Sequence, residues 1–143
     1  MKLIRKICFF CLTIGITVCE AGYGDLQDSL PTQREREVLF ATNAVRMDPI
    51  GFRDTYIGTA ATILLPENYP AVGPVWYNHD LNRAAHFHSS EMASTCGMTH
   101  NSCDGTSFSA RVRSYYKASS SIAENVASGV SSGIGTVIQW LRD

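Results

Sequence analysis

The segment Cys96-Gly-Met-Thr-His100-Asn-Ser-Cys103-Asp104 places a histidine in a short loop between two cysteines. A disulfide between these cysteines would close a loop of eight residues. Such a link stabilises the folded chain by roughly 2–3 kcal/mol on the chain-entropy model. It would also restrict the orientation of His100, and an imidazole is useful as a ligand or acid–base group only when another group fixes its orientation. Taken alone, the loop favours a surface histidine without a role.

The first 21 residues have the pattern of a signal peptide. Three basic residues precede an apolar run from residue 7 to residue 18, and that run is shorter than the ~20 residues needed to span a bilayer. Cys19-Glu-Ala21 supplies small residues at the positions that a signal peptidase reads, which predicts cleavage after Ala21. An uncleaved anchor and a lipoprotein signal ending at Cys19 are the alternatives.

Cleavage at this point would leave a mature chain of 122 residues, which fits one domain. It would remove three basic residues and Glu20 from totals of 12 and 13, so the mature chain would carry a net charge of −3. This argues against nucleic acid as the main partner, since nucleic-acid-binding proteins present a basic surface. Cys96 and Cys103 would remain, and an even pair in an exported chain predicts a disulfide. The alternative is a free thiol, or a Cys–His nucleophile pair with His100.

Hydrophobic periodicity predicts four helices and little strand. Thr32 and Glu35 form a capping-box pattern that starts the first helix after a surface leader at 22–32, and Pro49 marks its end. The other elements are a connection at 50–74 with a turn of helix at 50–57, a short strand at 75–77, a helix from Asn78 or Asp80 to about Thr95, a helix at 107–116, a brief strand at 122–126 and a helix at 134–141.

Glu124 lies among small and apolar residues. If its carboxylate is buried it needs a partner, and a histidine is a suitable one, whereas an exposed turn is an equal alternative. His88 shares the apolar stripe of the second helix, which predicts a packed core histidine. His86 is predicted to face outwards, and His79 has no candidate partners.

Five segments of the chain also form an ordered set with consistent spacing. They are Asn43-Ala-Val-Arg46-Met-Asp-Pro49, residues 75–85, Met98-Thr-His100 with Asp104-Gly and Arg111, Ala123-Glu124-Asn125-Val-Ala-Ser-Gly129, and Val137-Ile-Gln-Trp140-Leu-Arg-Asp143. Together they resemble the CAP superfamily of secreted proteins (cysteine-rich secretory proteins, antigen 5 and pathogenesis-related 1), also called SCP-like domains. The resemblance runs from about residue 33 to the end of the sequence.

The resemblance implies an α+β fold, an α-β-α sandwich over 33–143, with a central cavity lined by two histidines and two acidic residues. By motif position, His100 is the first histidine and a metal ligand, and Glu124 is the first acid. Asp143 stands where the second acid comes, although periodicity alone places it on the solvated side of its helix. The second histidine belongs to a segment beyond residue 143, so a C-terminally truncated domain without the later strands is expected.

The function implied by the resemblance is that of a secreted, extracellular and non-catalytic domain. Its expected partners are an extracellular protein or a lipid or sterol ligand, without nucleic acid and without a membrane span. The partial cavity would bind a divalent metal such as zinc only weakly. The alternative is a secreted, peptidase-like hydrolase with His100 as general base and Glu124 orienting it. In a third interpretation the chain is a purely structural exported module, and His100 is incidental.

Overall fold

The computed structural model of the chain describes residues 26–65 and 67–142. The predicted signal peptide and Asp143 therefore lie outside the described residues. Within them the chain forms five α-helices and a π-helical turn that continues the third helix. These are α1 (Gln33–Met47), α2 (Pro49–Tyr56), α3 (His79–Glu91), the π-helical turn (Met92–Cys96), α4 (Phe108–Tyr115) and α5 (Gly133–Trp140).

The start of α1 and the boundary between α1 and α2 both follow from local sequence. The Thr32 hydroxyl accepts from the Glu35 amide at 3.3 Å and the Glu35 carboxylate accepts from the Thr32 amide, which confirms the predicted capping box. Asp48 ends α1 and caps α2 by accepting from the Gly51 amide at 2.9 Å. Pro49 then occupies the first turn of α2, where its missing N–H costs no helical hydrogen bond.

The third helix also begins and ends at local sequence signals. The Asn78 side chain accepts from the Leu81 amide at 3.0 Å, which makes Asn78 the N-cap of α3. The helix predicted to end near Thr95 consists of α3 and the π-helical turn, and it stops at Gly97, whose φ of 68° favours glycine.

The largest apolar cluster lies between α1, α2 and α5. The buried residues of this cluster are Ala41, Val45, Phe52, Leu64 and Val137. Helix α5 approaches α1 so closely that a Cβ on Gly133 would lie 2.5 Å from the backbone nitrogen of Val38. The Gly133 amide donates to Glu37 at 2.9 Å across this contact. A second group is formed by α3, which contacts both the π-helical turn and α4.

Strands are not formed at 75–77 or 122–126, so both predictions were wrong for the described part of the chain. A strand needs a neighbouring backbone to pair with, and at Val75 a side chain takes that place. The Asn43 amide accepts from the Val75 N–H at 2.8 Å and donates to the Val75 carbonyl at 3.0 Å. Over residues 26–65 and 67–142 the architecture is helical, and the α-β-α sandwich stays a prediction. None of the helices in these residues has the length and apolar character needed to cross a membrane.

Candidate functional site

The loop of residues 97–106 carries His100 and is closed by the predicted disulfide between Cys96 and Cys103. The disulfide joins the end of the π-helical turn to the far side of the loop. Inside the loop, the Thr106 amide donates to Asp104 at 2.8 Å, which lowers the pKa of that carboxyl. The Ser102 amide donates to the Thr106 carbonyl at 2.9 Å. The loop is therefore held by covalent and polar links.

The structure brings His100 beside Glu124. Nδ1 of His100 lies 3.2 Å from Oε1 of Glu124, although 24 residues separate them in the sequence. The two side chains differ in environment, since that of His100 is 58% exposed and that of Glu124 only 13%. A largely buried carboxylate needs compensating partners, and an exposed imidazole alone is a weak one.

Arg111 on α4 supplies the main compensation. It is buried, and its Nη2 forms an ion pair with Oε2 of Glu124. Its Nη1 donates to the His100 carbonyl at 3.0 Å and lies 3.4 Å from the Ser102 hydroxyl. Arg111 thus contacts both the carboxylate and the loop that carries His100. Sequence analysis had placed Arg111 in a family motif without giving it a role.

His88 on α3 completes the cluster. Its burial confirms the predicted core position, but its contacts are polar. Nδ1 lies 2.6 Å from Oε1 of Glu91, and Nε2 lies 2.8 Å from the Thr99 carbonyl and 3.9 Å from Oε1 of Glu124. The hydrogen bond to His88, with those from Ser102 and the Cys103 amide, holds the pKa of Glu91 below its ordinary value against the opposing effect of burial.

A cavity of about 430 Å³ lies next to this cluster, between α1, α3, α5 and the segment 124–130. His88 and Glu124 contribute to its wall, whereas His100 is not among its lining residues in the described part of the chain. Glu124 therefore separates the exposed His100 from the cavity. The apolar part of the wall consists of Val38, Ala85, Met92, Val126, Ala127, Val130 and Trp140.

A second histidine–carboxylate contact lies at the wall of the same cavity. Nδ1 of His86 on α3 is 2.8 Å from Oε1 of Glu35 on α1. His86 is exposed, as predicted. Burial raises the pKa of Glu35, but hydrogen bonds from the Thr32 amide, His86, the Thr32 hydroxyl and Asn82 together bring it below its ordinary value. This contact joins the two groups of helices across the cavity.

Comparison with known families agrees with the motifs. The model of the cysteine-rich secretory protein family, CAP, matches residues 39–143, well over half of the chain. The chain belongs to the CAP family. The matched range contains His100, Glu124 and Asp143, together with Arg111 and His88. Neither a curated protein nor a solved structure gives a significant match to the chain.

The described part of the CAP domain does not fit a tightly held metal ion. It contains no group of three or more His, Cys, Asp or Glu side chains arranged to hold one. His100 and Glu124 contact each other through Nδ1 and Oε1, and the second oxygen of Glu124 is already paired with the Arg111 guanidinium. A fixed positive charge beside a carboxylate opposes a divalent cation. Asp143, the third predicted cavity residue, lies outside the described residues.

One sequence pattern escaped the sequence analysis, namely Gly129-Val-Ser131-Ser-Gly133, which has the Gly-x-Ser-x-Gly spacing of a nucleophile elbow. Its structural context is different from that of a hydrolase, because the segment leads into α5 without a preceding strand. Ser131 is exposed and does not line the cavity, and Ser132 serves as the N-cap of α5. In the described residues, no Ser, Thr or Cys side chain is hydrogen-bonded to His100.

Proposed function

We propose that this CAP domain is secreted and acts without catalysis, by holding an apolar ligand such as a lipid or sterol in the cavity beside Glu124. The observation that carries the proposal is the cavity itself. Its volume of about 430 Å³ falls in the range of roughly 300–1,000 Å³ that is typical of small-molecule sites. Most of the exposed surface of its wall is apolar, and the polar and charged side chains that also line it, among them Arg34, Glu35 and Glu124, could orient one end of a ligand.

Secretion is supported by two features that are independent of each other. The first 21 residues have a basic start and a short apolar run, as signal peptides do. The Cys96–Cys103 disulfide would persist in an oxidising, extracellular environment and would be reduced in most cytosols. The α-β-α sandwich implied by the family resemblance belongs to the same proposal, as does contact with an extracellular protein as a second binding mode.

The two tryptophans of the chain allow a direct test. Trp140 lines the cavity, whereas Trp76 is 78% exposed and lies in a separate groove. We expect a fluorescent sterol, dehydroergosterol, to quench tryptophan emission by energy transfer in the Trp76→Phe variant, which retains Trp140. The Trp140→Phe variant should show less than half of that transfer. The reverse order would place the sterol outside the cavity, and no saturable transfer in either variant would refute sterol binding.

A cavity-filling variant gives an independent measurement. Ala127 lines the cavity and Ala110 is an exposed residue of α4. We expect Ala127→Phe to weaken sterol binding at least tenfold, because the added ring occupies ligand volume, and Ala110→Phe to leave it unchanged. Equal affinities for the two variants would contradict the proposed location. The hydrolase alternative has no support in the contacts of His100, and hydrolysis of a peptide library by the parent but not by His100→Ala would be needed to restore it.

A further inference from the structure

The loop of residues 97–106 cannot be fixed by apolar packing. Of these ten residues, which the structure describes in full, Ser102 is the one that is buried. Met98, its largest apolar side chain, is 57% exposed. The disulfide ties the loop at Cys103, but His100 lies three residues before that link. Other contacts must hold the backbone next to His100.

Those contacts come from buried ionic side chains on α3 and α4. Nε2 of His88 approaches the Thr99 carbonyl at 2.8 Å, and Nη1 of Arg111 donates to the His100 carbonyl at 3.0 Å. Two consecutive carbonyls, those of the peptide groups before and after the Cα of His100, are therefore each held by a buried side chain. Glu91 holds the next part of the loop by accepting from the Cys103 amide at 3.3 Å.

The hydrogen-bond partners of His88 determine which of its ring nitrogens carry hydrogen. A carbonyl oxygen only accepts, so Nε2 must donate to Thr99. An ionised carboxylate also only accepts, so Nδ1 must donate to Glu91 at 2.6 Å. The lowered pKa of Glu91 agrees with an ionised carboxylate. Both ring nitrogens then carry hydrogen, and His88 is an imidazolium.

A buried imidazolium at this position also acts on Glu124. Nε2 of His88 is 3.9 Å from Oε1 of Glu124, the same oxygen that faces Nδ1 of His100 at 3.2 Å. The other oxygen of Glu124 is paired with Arg111. The carboxylate thus lies between two buried cations, and the two partly buried carboxylates of Glu91 and Glu124 balance these cations in the cluster.

We propose that His88 is a positioning residue of the site: as an imidazolium held by Glu91, it fixes both the Thr99 carbonyl and the Glu124 carboxylate, and thereby sets the contact between His100 and Glu124. The proposal rests on His100 and Glu124 belonging to the proposed site. It concerns their geometry and not the ligand, so a failure of sterol binding would leave it intact, and its own failure would leave the cavity proposal intact.

The test is ring-nitrogen NMR of the full chain labelled with ¹⁵N-histidine, recorded as a pH series. In the parent we expect hydrogen on both ring nitrogens of His88. We expect the neutral ring of His100 to carry its hydrogen on Nδ1, because the hydrogen bond to Glu124 selects that tautomer. In His88→Gln and in the isosteric Glu91→Gln, the His100 signal should move to the Nε2-protonated tautomer. In Glu91→Gln, His88 should also keep hydrogen on one nitrogen only.

Two controls separate positioning from general stabilisation. His86→Gln changes an exposed histidine of the same helix, and Val112→Ala removes buried apolar volume from α4. Both should leave the His100 tautomer unchanged, and Val112→Ala should nevertheless lower the melting temperature. Two results would overturn the proposal: a single protonated ring nitrogen on His88 in the parent, or a His100 tautomer in Glu91→Gln that equals that of the parent. Both results come from the parent and from Glu91→Gln, so the test does not depend on whether His88→Gln folds.

Discussion

Replacement of Arg111 by methionine tests the ionic cluster most directly. The change keeps the unbranched stem as far as the position of Nε and removes the charged guanidinium, which leaves the 13%-exposed carboxylate of Glu124 without its main partner. Breaking a buried ion pair from one side costs about 3–5 kcal/mol. Nε of Arg111 is itself buried without a partner in the described residues, and an unsatisfied donor already costs the parent about 1–3 kcal/mol. The loss should therefore lie near the lower limit, about 3 kcal/mol.

The assay is urea denaturation followed by circular dichroism, with thermal melting as a second measurement. For a domain of this size each 1 kcal/mol corresponds to about 3–6 °C, so Arg111→Met should melt roughly 10–15 °C below the parent. Arg113 is the matched control, since it is two residues further along α4 and its guanidinium bonds to the carbonyls of Ala118 and Ser120 instead of a carboxylate. Arg113→Met should cost about 1 kcal/mol.

A double-mutant cycle isolates the ion pair. Glu124→Gln alone should also destabilise the domain, because it leaves Arg111 without its anion. The double variant should lose about 2 kcal/mol less than the sum of the two single variants, since the second change removes a partner that is already lost. Additive losses, or a cost of Arg111→Met no larger than that of Arg113→Met, would show that Glu124 does not depend on this pair.

Three further predictions address pH, metal and backbone contact. The pKa of Glu91 lies below its ordinary value of 4.5 in the folded chain. The stability that this carboxylate contributes is therefore present above pH about 4.5 and is lost as the pH falls through the folded pKa. Melting temperatures measured from pH 6 to pH 3 should fall less steeply for Glu91→Gln than for the parent. Calorimetry of the full chain with zinc should give no submicromolar dissociation constant, and a submicromolar value would contradict the expectation that the partial cavity binds zinc only weakly. Gly133→Ala should lower the free energy of unfolding by about 1–3 kcal/mol through overpacking, because its Cβ would lie 2.5 Å from the Val38 nitrogen. The control Gly73→Ala has open space around it and should cost less than about 0.5 kcal/mol in the same urea assay.

The elements that the sequence predicted well are those whose signals lie within a few residues. The capping box of Thr32 and Glu35 and the stop at Gly97 are satisfied by local hydrogen bonds and by backbone angles. The strand predicted at 75–77 failed because β-propensity describes a surface that suits pairing and does not supply the partner. There, the partner of Val75 is the side chain of Asn43, 32 residues away.

The site was only partly predictable for the same reason. Burial of His88 follows from the apolar stripe of α3, but the stripe does not reveal that its ring meets Thr99 and lies 3.9 Å from Glu124. One local signal was available, since Glu91 lies three residues after His88 on the same helix face, where side chains interact. Because the two side chains are neighbours on the helix surface, this spacing could have indicated the contact between His88 and Glu91.

The position of Glu124 connects the two proposals physically. The side chain of Glu124 lines the cavity, contacts the exposed His100 and pairs with the buried Arg111. A ligand that hydrogen-bonds to this carboxylate would compete with His100 for Oε1, because the other oxygen is held by a guanidinium whose loss is costly. Of the groups around Glu124, His100 is the most exposed and makes the fewest other contacts, so it is the one that would give way. Occupancy of the cavity would then change the tautomer of a surface histidine, which the same ring-nitrogen spectrum can measure with and without bound sterol.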